Sequence, residues 1–460
     1  MTEVTHDTLA ESTEEAKAVA PAKPVPMLER TLPLFGIFLA VGLVVFIAAF
    51  LTVHNRPAEQ LAAHSGSQRS FNVISHWINE GYFHYSGQMV ITPPGKVLVY
   101  TTSTGVCMVS SLLLERMYMA VAGHYSWRLL AIHNQVVTLL LAALFGLLAF
   151  RIARRFGLDE RLSFASGAAV VVVIFTFPDN LYMYWEMSSQ TMWTLFAALF
   201  LVLEERCFDG QRTIPLSVAQ AVTVLIMTLM DKISGLAFVS AMAVTLLVLE
   251  QQRGAWKRYL LVALMPALVA LGLYGLQLKT RAARLPDTPA AGSGFMYRSG
   301  LDGETLYYGN HLDIAKRRDW AQNCWPVNRE YLFQWKSVFF LGILSVIAVI
   351  GAFIAGRAPR IAVLALAWHI GTWLLYAAVF SQAFVIHPYL FDTILFTPLA
   401  IALFGYLPAL TESFTRRTGA VMMIAVFCAF WFSLYQMRLY ALWYPMPDAK
   451  AAPPSASAPH

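Results

Sequence analysis

Residues 126–178 read SWRLLAIHNQVVTLLLAALFGLLAFRIARRFGLDERLSFASGAAVVVVIFTFP. Two apolar runs, 126–150 and 162–177, flank the turn RIARRFGLDER at 151–161. A hydrocarbon core takes about 20 apolar residues per helix, so the first run is a crossing, and the second, shorter and uncharged, is read as its partner. Arginine-rich turns between crossings are retained in the cytoplasm. The stretch therefore predicts a membrane hairpin of two helices whose turn faces the cytoplasm, and it sets the orientation of everything around it.

Working outward, similar runs recur at 33–53, 187–204, 214–230, 233–250, 259–276, 337–356, 361–380, 388–410 and 419–441. With the hairpin they make about eleven crossings. Alternation from a cytoplasmic N-terminus places RCFDGQR, QQRGAWKR, GRAPR and TRR beside the first arginine turn, as the positive-inside rule requires. The opposite face receives 54–125, PDNLYMYWE, the Asp231–Lys232 turn, 277–336 and SQAFVIHP. Composition agrees: 58% of the 460 residues are hydrophobic, 13% are charged and the mean hydropathy is +0.56, too apolar for one solvated globule.

The expected fold is an all-α polytopic membrane bundle over 31–446, with a disordered cytoplasmic tail at 1–30 and a Pro-, Ala- and Ser-rich tail at 447–460. No apolar run opens the chain, so no cleavable signal peptide is expected. The net charge of +6 belongs to cytoplasmic anchoring and does not argue for a nucleic-acid partner. No CxxC, HExxH, GxxxxGK[ST] or dinucleotide-binding glycine motif occurs, which removes the usual metal and nucleotide sites and leaves no cofactor expected. A divalent metal remains compatible, although no di-acidic site suggests one. Cys107 and Cys324 share the outer side, where a disulfide between them stays open.

Loops as long as 54–125 are usually functional. In SFNVISHWINEGYF, Phe71, Ile74, Trp77 and Ile78 recur at helical spacing, while Asn72, Ser75, His76, Asn79 and Glu80 share the other side. This predicts an interfacial helix ending at Gly81. Thr92–Pro93–Pro94–Gly95–Lys96 then makes a rigid turn, and a second apolar stretch from Val97 to about Met119 lies along the membrane surface or against the bundle. Glu115 and Arg116 make that stretch a weak crossing.

The order of these features resembles the glycosyltransferase C superfamily, which includes protein O-mannosyltransferases and lipid A aminoarabinose transferases. The matching features are a first helix, an outer-loop helix ending in Gly81, a Pro-Pro turn, and a stretch ending at Gly123 before the quoted hairpin. Arg128 and FRIARRFG look like the superfamily's recurrent arginine and cytoplasmic ARR-x-G turn. The resemblance covers residues 33 to about 250 and continues beyond only as a helix count. It implies a lipid-linked sugar, commonly a polyprenyl phosphate donor, used on the non-cytoplasmic face of a bacterial inner membrane. Membrane lipid and an accessory membrane protein stand as further partners.

The superfamily's usual acids are displaced. Counting back from Gly81 reaches Gly66, within HSGSQRS, where an Asp or Glu is expected, and Gln190 stands near the second acidic position, with Glu186 one turn earlier. Either Glu80, Asp179 or Glu186 does the work from a neighbouring position, or the fold is retained without this chemistry. Three functions follow: a polyprenyl-phosphate-dependent glycosyltransferase acting on a lipid, glycan or protein; a silent lipid-binding or accessory protein; and a transporter or flippase. The third lacks the expected inverted repeat and paired helix interruptions.

Transfer from a phosphate donor needs a base for the acceptor and cations for the departing phosphate. His76 and Glu80, four apart, supply a candidate base, although a solvated helix face reads the same way. Asp179 and Glu186 sit among Tyr182, Tyr184 and Trp185, either as a sugar platform or as an interfacial aromatic belt. Lys96, Arg128, Arg298, Lys316, Arg317 and Arg318 are candidate phosphate ligands. His387 and Tyr389 fall at the outer interface, and Asp392 lies just inside the tenth span, a position that is functional by default or paired with Arg128.

Overall fold

The computed structural model describes residues 31–53, 65–84, 87, 89–90, 99–100, 105–155, 159–176, 189–207, 213–249, 255–284, 306–307, 310–311, 364 and 367–368. The first seven expected spans fall within this set except at residues 177, 187–188 and 250. The last four lie outside it, apart from Leu364, Ala367 and Trp368, as do both tails.

The quoted hairpin forms as read. Helix α1 spans Thr31–Val53 and α2 Ser65–Asn79 of the loop. After the short strands β1 (Met89–Val90) and β2 (Val99–Tyr100), a 3-10 turn at Val106–Met108 leads into α3, Val109–Ala122. Helices α4 (Trp127–Arg155) and α5 (Glu160–Thr176) are the hairpin itself. Then come α6 (Ser189–Cys207), α7 (Ile214–Met230) and α8 (Lys232–Leu249). Last come α9 (Ala255–Tyr259), a π-helical segment at Leu260–Leu264 and α10 (Met265–Arg284). The antiparallel pairs β1–β2 and β3–β4 (Leu306–Tyr307 with Asn310–His311) are the only departures from an all-α chain among the described residues.

The chain is a multi-pass membrane protein. Thr31–Ala48, Ile132–Arg155 and Trp256–Ala283 are each long and apolar enough to cross a bilayer, and α7 and α8 are shorter apolar helices. In lipid there is little hydrophobic gain in bringing helices together, so close packing of small residues does that work. Where α4 crosses α5, a Cβ on Gly167 would come within 2.6 Å of the Gly146 carbonyl oxygen and 2.5 Å of the Phe38 ring of α1. Only glycine permits this approach, and Phe38 fills the seam, stacking on Phe164 with ring centroids 5.4 Å apart. The α9–α10 rod carries its π-segment just before Pro266: Met265 N–H bonds to Leu260 O, and proline has no N–H to continue the regular ladder.

Sequence reading treats Glu204, Glu205 and Arg206 as a plain helix cap. In the fold, Glu204 and Glu205 are buried and tie five elements together. Glu205 accepts from Arg151 Nη1 at 2.9 Å and Arg155 Nε at 2.7 Å, and Arg151 Nη2 donates to Thr31 Oγ1 at 2.6 Å. Glu204 accepts from Gln220 Nε2 at 2.6 Å and from both Arg258 guanidinium nitrogens. The start of α1, the ends of α4 and α6, the first turns of α7 and the α9 arginine thus share one end of the bundle, here the arginine end. Helices α2 and α3 pack at the other end, here the loop end.

Candidate active site

At the loop end, α2 terminates where its sequence says it should. Glu80 N–H bonds back to His76 O at 2.8 Å, and Gly81 takes φ 94°, a left-handed value that ends the helix. Tyr82 then packs edge-on against buried Trp77, with centroids 4.9 Å apart. Gly105 closes over the same indole at φ 73°; a Cβ there would meet the ring at 2.8 Å. Burial raises the Tyr82 hydroxyl above its ordinary pKa, with the nearby Cys107 thiol adding to the effect. Cys107 is a buried thiol, and Cys324 lies outside the described residues.

Part of the polar side of α2 is withdrawn from solvent. Ser75 and His76 are buried, because the turn after α3 folds over them. Ser75 Oγ and Tyr125 Oη share a 3.3 Å hydrogen bond, the Phe71 and Tyr125 rings lie 5.1 Å apart, and Arg116 Nη2 donates to Trp77 O at 3.5 Å. Ser75 and His76 are covered while Asn79 and Glu80 stay exposed, so α2 is held against α3 and α4 with its C-terminal end at the surface.

This clamp gives the His76–Glu80 pair its geometry. His76 is 1% exposed and Glu80 34%, so an imidazole held inside meets a carboxylate at the surface. An ionised carboxylate only accepts, so His76 Nδ1–H donates to Glu80 Oε1, at 2.5 Å. The second oxygen, Oε2, lies 4.0 Å from Nε2 of His84, whose side chain is 56% exposed. A surface carboxylate with one oxygen held by a buried imidazole has the form of an oriented general base.

Three further features at the loop end escaped sequence reading. Glu115, 1% exposed, accepts Ser126 N–H at 2.9 Å through Oε2, while Oε1 has no hydrogen-bond partner among the described residues. Burial holds its carboxyl above the ordinary carboxylate range, opposed by the Ser126 bond. His133 of α4 bridges to α3 through Ser110 Oγ at 2.9 Å and Ser111 Oγ at 3.3 Å. Arg281, in the last turn of α10, is buried at the loop end. A charge inside an otherwise apolar run was the available signal for Glu115. Nothing in the local sequence of Arg281 separates it from Lys279 and Arg284 beside it.

Of the sequence-derived candidates, the fold brings His76 and Glu80 together. Arg128 stands in the first turn of α4, with its side chain outside the described residues. Lys96, Asp179, Glu186, Arg298, Lys316, Arg317, Arg318, His387, Tyr389 and Asp392 also lie outside them. Among the described residues, no three His, Cys, Asp or Glu side chains converge to hold a metal ion.

No protein-family model and no curated protein matches the chain. Two crystal structures of ArnT from Cupriavidus metallidurans are similar to it. The one bound to undecaprenyl phosphate aligns at 15% identity over 85% of this chain and 62% of that one, with a TM-score of 0.49. The apo one aligns at 14% identity over 88% and 74%, with a TM-score of 0.47. The chain thus spans less than two thirds of the first structure's length. Both scores fall below 0.5, so the fold stands on the helix order and packing described above.

Proposed function

We propose that this protein is an inner-membrane glycosyltransferase of the glycosyltransferase C type that moves a sugar from a polyprenyl-phosphate donor to a lipid, glycan or protein acceptor. The observation that carries the reading is the clamped His76–Glu80 pair on the loop end, opposite the arginine end that the positive-inside rule assigns to the cytoplasm. The sequence resemblance over residues 33 to about 250 supports it. Reaction on the periplasmic face follows from that orientation.

In this reading Glu80 Oε2 takes the acceptor hydroxyl proton while His76 holds Oε1. The acceptor oxygen attacks the anomeric carbon, the bond from that carbon to the phosphate oxygen breaks, and polyprenyl phosphate leaves. Cations stabilise that leaving group. Lys96, Arg128, Arg298, Lys316, Arg317 and Arg318 are assigned this task from sequence, joined by Arg281 from the fold. Asp179 and Glu186 are the rival bases, and His387, Tyr389 and Asp392 serve the substrate from the later spans.

A second reading, a silent protein that binds a lipid-linked sugar for a partner enzyme, is favoured by Gly66 and Gln190 standing where the superfamily's acids are expected. Mass spectrometry of lipids that copurify with the solubilised protein, followed by incubation with a polyprenyl-phosphate sugar, separates the two. Release of polyprenyl phosphate is the result expected of the transferase. A bound lipid without turnover supports the silent reading, and no bound lipid with no turnover contradicts both.

A further inference from the structure

Helix α3 is turned inside out. Leu113, Met117 and Val121 recur at i, i+4 and i+8 along one side of it and are 58%, 70% and 89% exposed. Of its three buried residues two are polar, Ser111 and Glu115, and the third is Leu112. A helix on a water-facing surface has the reverse pattern, so the exposed side of α3 is built for an apolar medium. At 14 residues α3 is about 21 Å long, too short to cross a hydrocarbon core of about 30 Å.

Its depth is set by α4. Ser110 and Ser111, at the start of α3, bond to His133, and Glu115, halfway along, accepts the N–H of Ser126 at the head of α4. These bonds fix α3 against the first two turns of α4. The apolar span of α4 begins at Ile132, so α3 lies level with the bilayer surface. Ile132 and Val136 are themselves exposed, which leaves bare apolar surface on both helices where they meet. Arg116 stands exposed at the edge of the α3 stripe, and Tyr118 packs edge-on against exposed His124, with ring centroids 5.5 Å apart. Tyrosine rings and long cationic side chains favour the headgroup level of a bilayer.

We infer that α3 docks into the leaflet at the loop end, seating Leu113, Met117 and Val121 among phospholipid acyl chains with Arg116, Tyr118 and His124 at the headgroups. The occupant is the bilayer because the stripe adjoins the span of α4; a second copy or another protein would have to cover a strip that the membrane meets first. Arg116 also donates to Trp77 O, so the leaflet sets the height of α2 as well. The docking rests on the fold and holds whether or not the protein transfers a sugar.

The test places p-benzoylphenylalanine at position 117 or 121 of the full chain, and at exposed Val44 of α1 as a reference within a span. Each monodisperse variant is reconstituted into phosphatidylethanolamine–phosphatidylglycerol vesicles and irradiated, and its adducts are mapped by mass spectrometry. Acyl-chain adducts are expected at 117 and 121 in the same yield as at 44. A covalent dimer, an adduct to another segment of the same chain, or no lipid adduct at 117 and 121 while 44 labels would overturn the docking. M117D gives a reading that needs no label, since a carboxylate among acyl chains is costly whereas one in water changes little. It should melt well below wild type in the same vesicles, and a melting temperature equal to wild type means that the stripe faces water.

Discussion

The two ends of the bundle handle charge in opposite ways. At the arginine end, two buried glutamates meet three arginines and a glutamine, and their carboxylate oxygens are filled by protein donors. At the loop end, Glu80 sits at the surface with one oxygen clamped by His76, and buried Glu115 has one oxygen bonded and one without a partner among the described residues. Saturated charge fixes helix positions and has nothing left to offer a substrate. Half-satisfied charge costs stability and is where proton transfer has a place to happen.

If that contrast holds, substitutions at the two ends separate folding from activity. Removing Glu205 strands buried Arg151 and takes the carboxylate from the more exposed Arg155, so E205A should lose about 3–5 kcal/mol, read as a large fall in thermal stability in detergent. The protein that remains folded should keep its turnover per molecule. G167A tests the shared scaffold: its methyl meets a backbone oxygen that cannot move aside, and the cost should be about 1–3 kcal/mol with α4 and α5 forced apart. Full stability in G167A would mean that the seam is looser than described.

The smallest effect sharpens the loop end. A carboxyl whose folded pKa is raised binds more protons folded than unfolded, so its stability contribution falls as pH rises from the ordinary carboxylate pKa toward the raised one, and the penalty is complete above it. E115Q keeps an acceptor for Ser126 N–H and cannot ionise. Its melting temperature relative to wild type should therefore rise with pH across that window, and a difference that stays flat with pH would mean that Glu115 is not strained by burial.

Much of this fold is written in hydropathy. The span expected at 214–230 is α7 to the residue, because Thr213 caps it, accepting Leu216 N–H at 3.4 Å, and Asp231 ends it. The i,i+4 spacing of His76 and Glu80 likewise made their contact legible. Their environment was not, since the covering of Ser75 beside them involves Tyr125, 50 residues further along the chain. The arginine end was opaque for the same reason: Arg258 finds Glu204 across 54 residues, and neither partner carries a local sign of the other. Periodicity reports which face of a helix is apolar, whereas long-range pairing decides which polar side chains are taken out of water.

The most direct test compares polyprenyl phosphate release by wild type and E80Q, per folded molecule, from a polyprenyl-phosphate sugar with acceptor present. Glu80 is partly exposed and its replacement is nearly isosteric, so stability should hold while turnover falls about 10²–10⁴-fold. Equal release by the two proteins would contradict the account, moving the base away from the loop helix and leaving the clamped pair as structure alone.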